Sequence, residues 1–160
     1  MKPTPPGWPR LSGSVFYDDP KAAIDWLCKA FDFKVRLLVE GEGGRVDHSE
    51  LEYGEALIMV GQAGEDLVHR KDADGPPLIR ASPRSTDGRV TQVMCIVVDD
   101  VDAHCAQARG AGAVIGQSPS TQDYGEDYWV DRSYRAIDPE GHHWWFMQRL
   151  ATKGRLQTSA

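Results

Sequence analysis

The chain has little of what most function classes require. Only three of its 160 residues are cysteine, and Cys28, Cys95 and Cys105 are widely spaced with no CxxC pair. An odd, scattered set does not make a disulfide framework. Each lies in an apolar helix or strand pattern and is expected to act as a small buried hydrophobe. No apolar run approaches the roughly 18–20 residues of a membrane span, so no membrane partner is expected. The opening Met1-Lys2-Pro3-Thr4-Pro5-Pro6-Gly7-Trp8-Pro9 puts no apolar segment behind its lysine. That excludes a secretory signal there and points to the cytoplasm. Clustered Lys and Arg are missing as well, and the formal net charge is −6. Without a basic patch to meet phosphates, nucleic acid is not an expected partner. Gly41-Glu42-Gly43-Gly44 precedes a strand pattern rather than a helix, so it is no phosphate loop. Nor does a nucleophile–base pair stand out: Cys95 with His143 is conceivable, but an apolar strand raises a thiol pKa and quiets it.

What is present is an internal repeat. Tyr17-Asp18-Asp19-Pro20-Lys21-Ala22 and Val98-Asp99-Asp100-Val101-Asp102-Ala103 read alike. Each follows an apolar strand (Val15 to Tyr17; Val93 to Val98) and opens a helix. The Asp-Asp pair supplies an N-cap oxygen and negative charge where free N–H groups and the helix dipole favour both. Pro20 suits the first helical position. Ala23, Ile24, Leu27 and Phe31 form a 3.6-residue apolar stripe in the first helix. Val101, Cys105, Ala108 and Ala111 form a weaker one in the second, which should stop at Gly110 or Gly112. Three short strands follow each helix: Lys34–Glu40, Arg45–Tyr53 and Glu55–Gly61, then Ala113–Gln117, Ser133–Asp138 and His142–Gln148. Asp138-Pro139-Glu140-Gly141 has the residues of a type I turn.

The expected organisation is a Pro-rich arm at 1–10, a first module at 11–61, a mixed-charge link at 62–88, a second module at 89–150 and a tail at 151–160. Arm and tail should be loosely held unless they dock on something. A 27-residue link is long for a compact domain.

The twice-repeated βαβββ pattern, closed by Asp138-Pro139-Glu140-Gly141, resembles the vicinal oxygen chelate superfamily of glyoxalase I, extradiol dioxygenases and bleomycin-resistance proteins. The run Tyr124-Gly125, Ser133-Tyr134-Arg135 and Asp138 to His142 is similar to its PhnB-like, glyoxalase-like branch. The resemblance implies an α+β fold of two βαβββ modules, with curved mixed sheets, helices on the outer face and a cup-shaped cavity. It also implies a divalent metal in the cup, held by His, Gln or Glu on the first and last strands of each module. Those positions fall here on Ser12, Met59, Val93 and Trp145, which are not an adequate ligand set for such a cation. Slipping a strand by one residue offers only Gln92 and turns the wrong face to the cup. No metal and no cofactor are therefore expected. One alternative stays open, a non-family metal or acid–base site made of His48, Glu50 and His143.

With Trp145 facing the cup, period two brings His143 and Met147 with it. Ser12, Ser14, Met59, Val93 and Cys95 would show on the same face, with His48 and Glu50 near by. Ser12, Ser14, His48, Glu50, Met59, Val93, Cys95, His143 and Trp145 are the candidate ligand-binding residues of an apolar, aromatic cavity with a few polar groups. An indole wall suits a flat aromatic ligand; equally, Trp145 could fill the space a metal takes in relatives. Trp144 and Phe146 belong to the opposite, core face. The acidic, aromatic Asp123–Trp129 segment reads either as a lid for a cationic ligand or as a loop anchored by its rings. Arg135 reads as an ion-pair partner, with Asp138 the candidate. Three functions follow from this pattern: a metal-independent protein binding a small aromatic molecule; a glyoxalase-type lyase or isomerase using His48, Glu50 or His143; and a scaffold acting only through protein contacts. Exposed strand edges further suggest a homodimer.

Overall fold

The computed structural model describes residues 1–65, 75, 76 and 78–154. The middle of the stretch read as a link and the last six residues of the tail lie outside the described residues. The chain divides into two compact units, Met1–Arg89 and Val90–Ala160.

In the first unit, β1 (Gly13–Tyr17) leads into α1 (Pro20–Phe31), followed by β2 (Lys34–Glu40), β3 (Val46–Tyr53) and β4 (Ala56–Gln62). The sheet runs β1-β4-β3-β2, with β1 parallel to β4 and the other pairs antiparallel. Asp19 caps α1 by accepting from the Ala22 N–H at 3.0 Å. The expected stripe is the buried one: Ala23, Ile24, Leu27 and Phe31 are buried, and so are Val15, Tyr17, Leu51, Ile58 and Val60 of the sheet. Two short strands, β5 (Gly64–Glu65) and β6 (Ile79–Arg80), pair antiparallel. Beyond β6, Ser82 donates to Asp18 at 2.6 Å, which ties that end of the stretch to the start of α1. The arm is tied as well. Arg36 Nη1 donates to the Gly7 carbonyl at 2.8 Å, and its guanidinium lies 5.8 Å from the Trp8 ring.

The second unit repeats the plan: β7 (Met94–Val97), α2 (Val101–Gly110), β8 (Val114–Asp123), β9 (Trp129–Ile137) and β10 (His143–Thr152), in the order β7-β10-β9-β8. Asp100 caps α2 through the Ala103 N–H at 3.0 Å, as Asp19 does α1. The helix ends in a Schellman pattern, Ala113 N–H to the Ala108 carbonyl and Gly112 N–H to the Arg109 carbonyl. Gly112 supplies the required positive φ of 93°.

Three strands of the second unit run further than expected, β10 among them, which continues past Gln148 to Thr152. β8 extends to Asp123 and β9 starts at Trp129, because the polar Ser118–Asp123 stretch, which reads as a loop, is an edge strand. The ladder shifts between Gln117 and Ser120, where Pro119 has no N–H to offer. The α2 stripe also differs. His104 is buried in place of Ala111, since its Nδ1 meets the Tyr134 hydroxyl at 2.7 Å and satisfies the ring's polarity.

Candidate functional site

Each sheet has one face under its helix and one open face, and strand alternation sorts the candidate residues between them. On the second sheet Trp144 and Phe146 are fully buried beneath α2. His143, Trp145 and Met147 alternate with them and are half-buried on the open face. The ladder sets Trp145 between Cys95 on β7 and Arg135 on β9, and residues paired across a ladder share a face. Cys95, Arg135, His143 and Trp145 therefore form one group. Val93 precedes β7 and is exposed.

Arg135 does not take the partner expected of it. Its Nη1 donates to His143 Nδ1 at 2.7 Å and its Nη2 to the Gly116 carbonyl at 3.2 Å. The approach at Gly116 is close: a Cβ there would lie 2.9 Å from the guanidinium carbon. Asp138 is engaged elsewhere. One of its oxygens accepts the N–H groups of Glu140, Gly141 and His142 at 2.9–3.0 Å, closing the turn. The other accepts from the Trp144 indole at 3.1 Å. Because a guanidinium can only donate, His143 Nδ1 must be the acceptor nitrogen, leaving the proton on Nε2. Burial, and then the positive charge of Arg135, hold the His143 pKa below its ordinary value, in keeping with a neutral ring.

Expectation and structure part at one cysteine. Cys105 is buried and Cys28 half-buried, but Cys95 is exposed, since β7 is an edge strand and Cys95 is on the open face. The side chains crowding its thiol still strip enough water to push its pKa up, helped by the charge of Asp131. Desolvation likewise raises Cys28 and Cys105. None of the three is an activated nucleophile.

On the first sheet Ser14 pairs with Met59. Leu51 pairs with Ile58 on the helix side, so Glu50 and Met59, each one residue on, share the open side. Ser12 lies just before β1. Glu50 is buried, yet its carboxylate is matched: His48 Nε2 lies 3.0 Å from Oε1 and Arg36 Nη1 3.4 Å from Oε2. Arg36 was not foreseen. It is an extra residue on β2 where the ladder shifts between Val35 and Leu37, and the bulge frees its side chain to reach across.

The Asp123–Trp129 segment is held by its own rings and ends. Tyr124 and Tyr128 flank Trp129 at 5.6 and 5.7 Å, Lys153 pairs with Asp123 at 2.9 Å, and Arg149 covers the Trp129 ring at 4.8 Å. A cation already occupies that ring face.

The positions that the resemblance assigns to metal ligands carry a hydroxyl (Ser12), a thioether (Met59), an alkyl group (Val93) and an indole (Trp145). This donor set does not fit a catalytic divalent metal. Among the described residues, no three His, Cys, Asp or Glu side chains come together to hold one. No helix among them is long and apolar enough to cross a membrane.

Residues 11–146 match the family model described as the Glyoxalase/Bleomycin resistance protein/Dioxygenase superfamily. An uncharacterised protein of Mycobacterium bovis is 30% identical over 85% of this chain and 80% of its own length. Among solved structures, TioX from Micromonospora sp. ML1 is 28% identical, covers 88% of this chain and 98% of its own, and superposes with a TM-score of 0.64. TnmS3, an antibiotic-binding protein from Streptomyces sp. CB03234, is 19% identical over 86% of this chain and 93% of its own, with a TM-score of 0.56. The TnmS3 likeness is one of fold.

Proposed function

The chain belongs to the glyoxalase/bleomycin resistance protein/dioxygenase superfamily, and from that premise we propose that it binds a small aromatic molecule without the metal that the resemblance implies. The observation that carries this reading is Trp145. At a position the resemblance gives to a metal ligand stands a half-buried indole, on an open sheet face with Cys95 and Arg135 on either side. Half-buried aromatic walls with a few fixed polar groups suit flat ligands. Ser12, Ser14, His48, Glu50 and Met59 on the first sheet, and Val93, Cys95 and His143 on the second, are the remaining ligand-facing candidates. TnmS3, which has a scaffold of this kind, is an antibiotic-binding protein, which supports the reading.

The protein acts in the cytoplasm, as a homodimer, with neither nucleic acid nor membrane as partner. Self-association is supported by β2, an edge strand whose Val35, Leu37, Leu38 and Val39 are all exposed. Two copies paired antiparallel about Leu37 would set the basic end of one strand, Lys34, against the acidic end, Glu40, of the other.

A second reading rests on the 3.0 Å contact of His48 with Glu50, an acid–base geometry suited to a lyase or isomerase. Turnover of the glutathione hemithioacetal of methylglyoxal that His48→Ala abolishes would favour it.

Trp145→Ala tests the binding reading. Losing the ring stack removes about 0.5–1.5 kcal/mol beyond area burial, and lost apolar contact about 1–2 kcal/mol more. A bound aromatic ligand should weaken by roughly ten- to several-hundredfold, with the fold retained. Were Trp145 only filler, truncation would instead cost about 3–5 kcal/mol of stability and leave affinity alone.

A further inference from the structure

Resting on the reading that the second sheet's open face receives an aromatic ring, we infer that its ligand carries an ionised oxygen, a carboxylate or phenolate beside the ring, which Arg135 receives while Trp145 stacks. Arg135 lies directly opposite Trp145 in the β9–β10 ladder, so both side chains rise from the same sheet face and a ligand held there can meet both. The guanidinium is held in place rather than free to swing: Nη1 is anchored on His143 Nδ1 and Nη2 on the Gly116 carbonyl. Both anchors are uncharged, and among the described residues Arg135 has no carboxylate partner within ion-pair distance. Asp138, two residues from β9's Ala136, is engaged by its own turn and by Trp144.

Gly116 is part of this arrangement. Its φ is not positive, so the backbone does not require glycine there. A side chain would instead collide with the guanidinium at 2.9 Å. The absence of a Cβ lets Arg135 lie flat against β8. His143 adds a second donor, since its proton is on Nε2 while Nδ1 accepts. Two fixed donors beside an indole are the recognition set for an oxyanion on a flat ring, and they disfavour a cation in the same place.

Equilibrium dialysis of the full-length protein at pH 7.5 and low salt tests this. The probes are 2-naphthoate, 2,4-dinitrophenolate, the neutral 2-naphthamide and the cationic 2-naphthylmethylammonium. A charge-assisted bond of this kind should favour at least one anion over the amide by about ten- to a hundredfold. Preference for naphthoate or for dinitrophenolate then says which oxyanion is taken. Arg135→Gln should erase that preference while leaving naphthamide within about twofold. Gly116→Ala, which leaves Arg135 in the chain but pushes its guanidinium away, should reduce the preference in the same direction. Equal binding of anions and amide, tightest binding of the ammonium, or an equal loss of all probes in Arg135→Gln would each overturn the inference while ring binding stands. Failure of every probe to bind would remove the aromatic-ligand reading along with it.

Discussion

On the first sheet the open face carries a carboxylate that the protein itself neutralises, Glu50 held by His48 and Arg36. On the second it carries a guanidinium, Arg135, whose partners His143 and Gly116 are uncharged. The two units otherwise repeat each other closely, in strand order and in an Asp cap that accepts from the N–H three residues on. A shared scaffold thus carries two kinds of surface. Where charges are matched internally, the face contributes to stability. Where a charge is held in place by neutral groups, the face is the one proposed above to receive a ligand.

The edges differ too. β2 presents Val35, Leu37, Leu38 and Val39 to solvent, whereas β8 is polar and broken by Pro119. Charged or Pro-bearing edges resist pairing, and apolar ones invite it. The largest effect is expected here. Leu37→Lys should weaken a dimer by about a hundredfold or more, because two leucines leave the symmetric contact. Ser120→Lys on β8 should leave it unchanged. Sedimentation across a concentration series reads both. A wild-type mass that is monomeric at every concentration would break this half of the comparison.

Each sheet also has one buried polar side chain that joins its backbone. In the second unit Asp138 closes the turn and holds the Trp144 indole. In the first, Ser49 both donates to the Val60 carbonyl and accepts its N–H, at 2.7 and 2.9 Å. Asp138→Ala leaves a buried indole N–H without its acceptor and opens the turn, costing about 3–4 kcal/mol. Ser49→Ala takes from Val60 both the acceptor of its N–H and a donor to its carbonyl, for about 1–3 kcal/mol. Denaturant melts should rank them in that order, and the reverse ranking would show the second sheet to be the more tolerant one.

Glu50→Gln sharpens the claim of internal neutrality. It removes the carboxylate that His48 and Arg36 share, and should cost about 1–2 kcal/mol in the same melts. No measurable change would mean that the first open face is not held together by this trio.

The smallest effect is a titration. Burial, and then Arg135, keep His143 below the ordinary imidazole value of 6.5. Its folded form therefore binds its proton less tightly than the unfolded chain does. The stability this lends is complete above about 6.5 and is lost as pH falls through the folded pKa. Histidine NMR should find His143 titrating below 6.5. Arg135→Gln should raise it only partway back, since burial is the larger cause. A value above 6.5 would contradict the neutral, Nδ1-accepting ring.

The sequence was most readable where the chain reports on itself locally. The paired Asp caps, the α1 stripe and the Asp138–Gly141 turn all act within a few residues. The turn also sets the register of the two strands it joins: counting outward from it along both places Arg135 opposite Trp145. Reading Arg135 as a partner for Asp138 overlooked that the turn's own N–H groups already engage the aspartate. Arg36 was hidden for a different reason. Bulges at Arg36 and Asp47 shift the β2–β3 register, and no alternation pattern predicts where an extra residue will fall. β8 outruns its sequence signal because an edge strand needs little hydrophobicity, so Ser118–Asp123 looks like a loop.

Native mass spectrometry of the untagged protein, purified without added metal and beside Trp145→Ala, tests the central claim most directly, since one spectrum reports organic and metal adducts together. The account predicts a small organic adduct on the wild-type chain, its loss from Trp145→Ala, and far less than one equivalent of Ni, Zn, Mn or Fe on either. One divalent metal per chain, removed by a chelator together with a catalytic activity, would contradict it.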